Sequence, residues 1–283
     1  MTMKTLTIDI KEYFTIQKDI IKDMIETFGN APTLAVIQVG DLEASNRYIK
    51  NKKKDCEEVG IQFEWYHFPE EITTENLITE ITDLLPYVHA MIVQMPLPDH
   101  IDTEAVKMAI SPDKDVDGLH PLSHFEPCTP RGIIDYLQMN DFDFDGKNVT
   151  IIGRSEIVGK PLARMLTDLN ATVTLCHSHT KSLYTYLNRA DLIICAVGQP
   201  NFLNCYSLHS KPIIDVGINV LENGKLVGDC FNTEDREVTP VPGGVGLLTR
   251  LALLQNVCSA RYSELFEEIK KIDEAEIYHD NCQ

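Results

Sequence analysis

The sequence has no apolar run long enough to cross a bilayer, which takes about 20 residues, and its opening stretch MTMKTLTIDIKEYF lacks the apolar core of a secretion signal. A cytoplasmic location without a membrane partner is therefore expected. Positive charge is also scarce: 25 Lys and Arg stand against 43 Asp and Glu, a formal net charge of −18. Such a chain repels phosphate backbones, which disfavours nucleic acid as a partner and leaves a small-molecule site open. The eight cysteines, at 56, 128, 176, 195, 205, 230, 258 and 282, include no C-x-x-C pair, and they are read as reduced packing residues. There is no internal repeat and no low-complexity tract.

What is present is 283 residues with 43% apolar content, enough for one or two ordinary cores and longer than one average domain. Short apolar runs alternate with amphipathic helical segments twice over, the grammar of a doubly wound α/β protein with parallel sheets. The first half predicts strands at 33–39, 61–68 and 90–94 and helices near 16–28, 44–59 and 75–86. A linker helix is expected from Cys128-Thr129-Pro130-Arg131-Gly132 to about 137, with Thr129 as N-cap and Pro130 at the first helical position. The second half predicts strands at 148–152, 171–176, 191–197 and 212–216, and a last helix from about 251 to 272.

The stretch VTIIGRSEIVGKPLARML reads as a buried strand, a glycine turn and an amphipathic helix, an arrangement that aims backbone N–H groups at a phosphate. Its spacing, Gly153-Arg154-Ser155-x-x-x-Gly159, departs from G-x-G-x-x-G, so a turn that only connects strand to helix stays open. The next strand ends roughly 20 residues on, where a dinucleotide fold usually carries an acid for the ribose 2′-hydroxyl. Here the sequence is His177-Ser178-His179-Thr180-Lys181, with no acid. Arg154, Ser178 and Lys181 suit a 2′-phosphate, which favours NADP over NAD. His177-x-His179 has the look of a metal pair, but no third ligand with suitable spacing accompanies it, and no metal is expected. The glycines after the later strands, Gly198 and Gly217, permit close approach of a ring or ribose, or simply make turns.

In the first half, ASNRYIKNKKKDCEEVGI reads as a helix. At about 100° per residue, Tyr48, Lys52, Cys56 and Val59 share an arc with Ile49, and Lys52 sits near its middle. A lysine on the inward stripe either snorkels out or meets a cavity. An amine held away from water there is a candidate for proton transfer, with Tyr48 one turn earlier in the same cavity. The bland alternative, a lysine stem covering apolar surface, stays open on periodicity alone. Arg47, Lys50, Lys53 and Lys54 form a solvated face or attract an anionic substrate tail. Two strand-end segments add polar groups: Gln94 before the proline loop Met95-Pro96-Leu97-Pro98, and Asp117 in an acidic turn, 111–118, that lacks the remaining ligands of a calcium loop.

Together P-T-L-A-V-I-Q-V-G, A-S-x-x-Y-x-x-x-K, V-Q-x-P-L-P, K-D-V-D-G, C-T-P-x-G, G-R-S-x-x-V-G-x-P and T-P-V-P-G-G-V-G, ordered between about 32 and 249, resemble the bifunctional methylenetetrahydrofolate dehydrogenase/cyclohydrolase family. The resemblance implies a two-lobed fold, an N-terminal α/β catalytic lobe and a C-terminal Rossmann-like parallel-sheet lobe with a cleft between them. The domains would be 1–138 for folate binding and catalysis, joined by a C-terminal helix at 255–283, and 139–254 for NADP. The implied activity is NADP-dependent oxidation of 5,10-methylenetetrahydrofolate and hydrolysis of the methenyl product to 10-formyltetrahydrofolate, in the one-carbon metabolism that serves purine biosynthesis. A homodimer acting on tetrahydrofolate derivatives is implied as well.

By the same resemblance Lys52 is the proton-transfer group, Gln94 holds its amine, Tyr48 positions the folate and Asp117 bonds the pterin. Pro96, Leu97, Gly243 and Gly244 join Tyr48, Gln94 and Asp117 as substrate contacts. Cofactor contacts fall on Gly153, Arg154, Ser155, Val158, Gly159, His177, Ser178, Gly198, Gly217 and Ile218. The family usually follows G-G-V-G with Pro-Met-Thr; here Leu247-Leu248-Thr249 stands in that place, and a differently shaped loop is expected there.

Overall fold

A computed structural model of the chain describes residues 5–206, 208, 211–230 and 237–280. The chain divides into two compact units, one formed by Lys18–Phe125 with Leu253–Gln283 and the other by Met1–Gln17 with Glu126–Ala252. They are called here the Lys52 unit and the Gly153 unit.

The Lys52 unit takes most of α1 (Ile10–Phe28), then β1 (Thr33–Val39), α2 (Glu43–Val59), β2 (Gln62–Phe68), α3 (Thr74–Leu84), β3 (Ala90–Val93) and α4 (Thr103–Ala109). Its three strands are parallel in the order β2-β1-β3, with Leu34 opposite both Phe63 and Ala90. Every residue of β1 is buried, which is why TLAVIQV carries no alternation: a central parallel strand is covered on both faces. Ala35, Ile37, Leu77, Ile81, Met91 and Val106 share one core cluster. Gly60 ends α2 in the left-handed region, φ 89°, returning its N–H to the carbonyls of Cys56 and Glu57. The sequence reading missed α4: at seven residues it is too short to show a helical period, although Asp102 caps it by accepting from the N–H groups of Glu104 and Ala105.

The Gly153 unit contains α5 (Cys128–Met139), β4 (Asn148–Ile152), α6 (Gly159–Asp168), β5 (Thr172–Cys176), α7 (Leu183–Arg189), β6 (Leu192–Cys195) and β7 (Pro212–Asp215). After these come the two-residue strands β8 (Asn219–Val220), β9 (Leu226–Val227) and β10 (Glu237–Val238), and then α8 (Val245–Asp280), which continues into the Lys52 unit. Five parallel strands lie in the order β10-β7-β6-β4-β5. The chain steps outward from β4 to β5 and then returns to lay β6 on the other side of β4. The boundary between β4 and β6 is thus a topological switch point, the place where open parallel sheets take ligands at the strands' carboxyl ends.

Three sequence expectations change. α5 begins at Cys128 with Pro127 as N-cap, so Thr129 is inside the first turn; its hydroxyl instead pairs with that of Thr249 at 2.9 Å. α8 begins at Val245, six residues before the expected start, because Val245 and Leu248 are both buried. Consequently Leu247 and Leu248 lie in a helical turn: the Leu247 N–H donates to the Gly244 carbonyl at 2.9 Å, and the Leu248 backbone packs on Gly132 so closely that a Cβ on Gly132 would lie 2.6 Å from the Leu248 carbonyl oxygen. Of the helix expected at 255–283, the last three residues lie outside the described ones.

Seven cysteines fall among the described residues; all are free thiols, six are buried, and Cys205 is exposed. Burial pushes the thiol of Cys258 up to about 12. Among the described residues, no helix is long and apolar enough to cross a membrane.

Candidate active site and cofactor turn

In the Lys52 unit, α2 presents the arc expected from its periodicity. Ile49, Lys52, Cys56 and Val59 are buried and Tyr48 is half-buried, while Lys50, Lys53 and Lys54 are exposed. Lys52 is only 6% exposed. Its Nζ donates to Gln94 Oε1 at 3.1 Å and stands 5.2 Å from the centre of the Tyr48 ring, within the range of a cation–π contact. The snorkelling alternative is thereby set aside.

Gln94 is fixed from both sides. Its backbone N–H continues the sheet by donating to the Ile37 carbonyl at 2.8 Å, and its Nε2 donates to the Met95 carbonyl at 2.9 Å. That second bond decides which end of the amide faces the lysine, and it leaves the oxygen as the acceptor for Nζ. α2 is itself anchored to the carboxyl edge of the sheet through Gln38. This buried side chain donates to the Gly40 carbonyl and Asn46 Oδ1 and accepts from Trp65 Nε1.

The 111–118 turn runs beside β3. Met91 and Asp115 form an isolated parallel bridge, and the Met91 N–H donates to the Lys114 carbonyl. Asp115 is buried and accepts from the His120 N–H at 2.7 Å; burial pushes its carboxyl above the usual range, with the His120 N–H opposing. Asp117, half-buried, follows two residues past the bridge. The turn is pinned by Asn256 of α8, fully buried, whose Nδ2 donates to the Val116 carbonyl at 2.8 Å. Sequence reasoning passed over Asn256, although an amide inside the apolar run LALLQNVCSA was a usable signal, since a buried amide must find a partner.

After Gln94, Pro96 is exposed whereas Leu97 is packed in the core cluster. Arg47, Lys53 and Lys54 make i,i+4 pairs with Glu43, Glu57 and Glu58 at 3.5, 3.7 and 3.7 Å, as a solvated helix face does.

In the Gly153 unit, the β4–α6 turn lies at the switch point. Gly153 has φ 115°, and a Cβ there would lie 2.2 Å from the carbonyl oxygen of Ala196, at the end of β6. A Cβ on Gly159 would lie 2.0 Å from the Gly153 carbonyl oxygen. Both positions therefore demand glycine, and the turn hugs the ends of β4 and β6. Ser155 Oγ accepts from the N–H groups of Val158 at 3.2 Å and Gly159 at 3.4 Å. The serine thus caps the helix entrance at a position where a standard fingerprint keeps glycine. Arg154 and Ser178 are exposed, and His177 is half-buried with its N–H donating to Thr180 Oγ1. His177 and His179 meet ring to ring at 5.9 Å; among the described residues no cluster of three or more His, Cys, Asp or Glu is placed to hold a metal ion.

Gly198 (φ 64°), Gly217 and exposed Ile218 lie on the loops after β6 and β7, the same edge of the sheet. Gly243 (φ 96°) and Gly244 belong to this unit, not to the Lys52 unit. A Cβ on Gly244 would lie 2.2 Å from the Pro240 carbonyl oxygen, so that glycine shapes its own turn.

Two buried carboxylates were not singled out by sequence reasoning. Asp215 ends β7 and accepts from the N–H groups of Gly217, Asp229 and Cys230 at 3.0, 3.0 and 2.8 Å. Burial pushes its carboxyl up to about 6, against those N–H groups and with the charge of Asp229 adding to the rise. Asp229, 0% exposed, accepts from Val197, Gly198 and Gln199.

Comparison with known proteins gives two family models that together span most of the chain. The catalytic domain of tetrahydrofolate dehydrogenase/cyclohydrolase matches residues 3–117, and the NAD(P)-binding domain of tetrahydrofolate dehydrogenase/cyclohydrolase matches 127–265. The Bifunctional protein FolD of Bacillus velezensis is 43% identical over 279 residues, covering 92% of this chain and 99% of that relative. A second relative of that name, from Bacillus subtilis, is 41% identical and covers 90% and 96%. Among solved structures, the FolD methylenetetrahydrofolate dehydrogenase/cyclohydrolase of Campylobacter jejuni superposes with TM-score 0.84 at 42% identity, covering 90% of this chain and 98% of that one. The Trypanosoma brucei enzyme, solved with NADP cofactor and inhibitor, gives TM-score 0.86 at 28% identity over 93% and 99%.

Proposed function

Because this chain belongs to the tetrahydrofolate dehydrogenase/cyclohydrolase family, we propose that it oxidises 5,10-methylenetetrahydrofolate to the 5,10-methenyl form with NADP and hydrolyses that product to 10-formyltetrahydrofolate, with Lys52 as the proton-transfer group. The observation that carries the role of Lys52 is its burial with Nζ held between Gln94 Oε1 and the Tyr48 ring. A binding protein has no use for a desolvated amine so placed.

The residues of the Gly153 unit fit NADP. Two glycines leave a cradle that a Cβ would fill, Arg154 and Ser178 offer donors to a 2′-phosphate, and the end of β5 carries no acid to repel it. Gly198, Gly217 and Ile218 would line the remainder. NADP, when bound, supplies the acceptor for the hydride leaving the folate one-carbon unit.

The chain's own groups account for orientation and proton movement. Tyr48 and Asp117 hold the pterin end, Asp117 accepting from its donors. In the hydrolytic step water adds to the methenyl carbon, and Lys52 Nζ takes the proton released as the C–O bond forms. The bond from that carbon to N5 then breaks as the hydroxyl gives its proton to solvent and becomes the carbonyl; the Lys52 amine passes its proton to N5, and the formyl group stays on N10. Gln94 Oε1 keeps Nζ in one orientation throughout, because its own amide is fixed by the Met95 carbonyl. The same amine serves both reactions by holding the one-carbon end of the folate, a positioning effect.

The domain assignment in this proposal is 1–138 with 255–283 for folate and 139–254 for NADP; the placement of Lys52, Gln94 and Asn256 in one compact unit supports its core, while 1–17 and 126–138 group with the Gly153 unit. The proposal also includes a homodimer, as the family resemblance implies, and a cytoplasmic location. Purified protein given methylene- and methenyltetrahydrofolate separately, each with NADP and with NAD, tests the reading. Turnover of both folates is expected, with preference for NADP. Turnover of neither would overturn the activity, and equal kcat/KM for the two nucleotides would overturn the 2′-phosphate assignment.

A further inference from the structure

Asp229 lies on the strap between β9 and β10, outside every motif that pointed to the cofactor, yet its carboxylate organises the loop after β6. Oδ2 accepts from the N–H groups of Val197 at 2.8 Å and Gly198 at 3.0 Å, and Oδ1 from the N–H of Gln199 at 2.8 Å and from Asn219 Nδ2 at 3.0 Å. These four N–H donors, with the Cys195 thiol 3.8 Å from Oδ2 as a fifth, satisfy the carboxylate without a cation. The fit is close: a Cβ on Gly217 would lie 2.2 Å from Asp229 Oδ1, and one on Gly228 would lie 1.9 Å from Asp215 Oδ2. Asp215 in turn receives the Asp229 N–H, so the ends of β6 and β7 and the 228–230 strap are tied together by two buried side chains.

The tied loop adjoins the switch point, since Ala196, one residue earlier, packs against Gly153. Because Asp229 consumes three successive N–H groups, the 197–199 loop has none of these to give a phosphate. The Gln199 carbonyl accepts from the Phe202 N–H at 3.3 Å, which leaves the carbonyl oxygens of Val197 and Gly198 to suit the donors of a ribose or a carboxamide. We propose that Asp229 is a positioning residue for the cofactor, setting the 197–199 loop to receive the nicotinamide-ribose end of NADP while the phosphates and the adenosine are held elsewhere. This rests on the NADP reading above and adds to it a residue that touches no part of the cofactor.

The test is Asp229→Asn, whose amide places an NH2 against two N–H donors whichever way it turns. The full-length variant is measured for KM with NADP, for binding of 2′,5′-ADP, which carries only the adenosine end, and for cyclohydrolase turnover of methenyltetrahydrofolate, which uses no nucleotide. KM for NADP is expected to rise at least about tenfold, the order set by leaving buried donors unpaired. Affinity for 2′,5′-ADP and cyclohydrolase kcat/KM stay within about twofold of the parent. Parallel loss of all three would make Asp229 a stabiliser of the whole unit, and an unchanged KM for NADP would remove it from cofactor binding; either overturns the proposal. If Asp229→Asn does not fold, Asn219→Ala decides: losing one donor to the same carboxylate, it should raise KM for NADP about threefold, and no rise overturns the proposal. Failure of parental protein to bind either nucleotide would instead refute the NADP reading itself.

Discussion

Replacing Gly153 by alanine perturbs the cofactor turn with the least change in chemistry. Two costs follow from the structure. At φ 115° the backbone is in a region that side-chain-bearing residues avoid, worth about 1–3 kcal/mol. The new Cβ would also lie 2.2 Å from the Ala196 carbonyl oxygen, a backbone atom that cannot rotate aside, because the Ala196 N–H is held by the Ile152 carbonyl at 2.8 Å. Overpacking of this kind costs about 1–3 kcal/mol more. The turn relieves both by moving away from β6, which opens the cradle. If about 3 kcal/mol of that appears as lost cofactor binding, NADP affinity falls roughly 10²-fold. Lys52 and Gln94 belong to the other compact unit, so methenyltetrahydrofolate hydrolysis should continue. NADP titration and cyclohydrolase turnover on one preparation make the assay. A folded alanine variant that binds NADP as the parent does would show that this turn is not the cofactor cradle.

Two further outcomes concern stability. Leu248→Ala empties a site that is 1% exposed against Gly132 and should cost about 3 kcal/mol, read as a lower urea midpoint; a change below about 1 kcal/mol would mean that the neighbouring turn collapses onto the gap. Asp215 should make stability fall with rising pH. Its carboxyl lies at about 6 in the folded chain against a reference of 3.8, so the folded state holds the proton more tightly, and raising the pH from about 4 to about 6 removes up to ~3 kcal/mol. Asp215→Asn, neutral throughout, should flatten that part of the urea-midpoint profile, and identical slopes in the two proteins would refute the assignment.

Local signals made the sheets and the Lys52 arc legible in the sequence. Fully buried parallel strands such as TLAVIQV leave continuous apolar runs, and α2 is long enough for its period to separate buried Lys52 from exposed Lys50 and Lys54. Pairings between distant residues were not legible. Asn256 meets the Val116 carbonyl 140 residues away, and Asp229 meets the 197–199 loop some 30 residues back; no local pattern encodes either. The cap expected at Thr129 followed a sound local rule, Pro at the first helical position, but tertiary contact prevailed: the Thr129 hydroxyl meets Thr249 and the helix starts at Cys128. The Leu247-Leu248 departure, read locally as a change of loop, lies inside the first turns of α8, with Leu248 buried.

Lys52→Met tests the central claim most directly, because methionine fills the buried arc of α2 with similar bulk and removes only the amine. Methenyltetrahydrofolate hydrolysis should fall by about 10²–10⁴, the usual contribution of a positioned proton-transfer group, while folate and NADP bind as in the parent. Unchanged hydrolysis in a folded Lys52→Met protein would contradict the role assigned to Lys52.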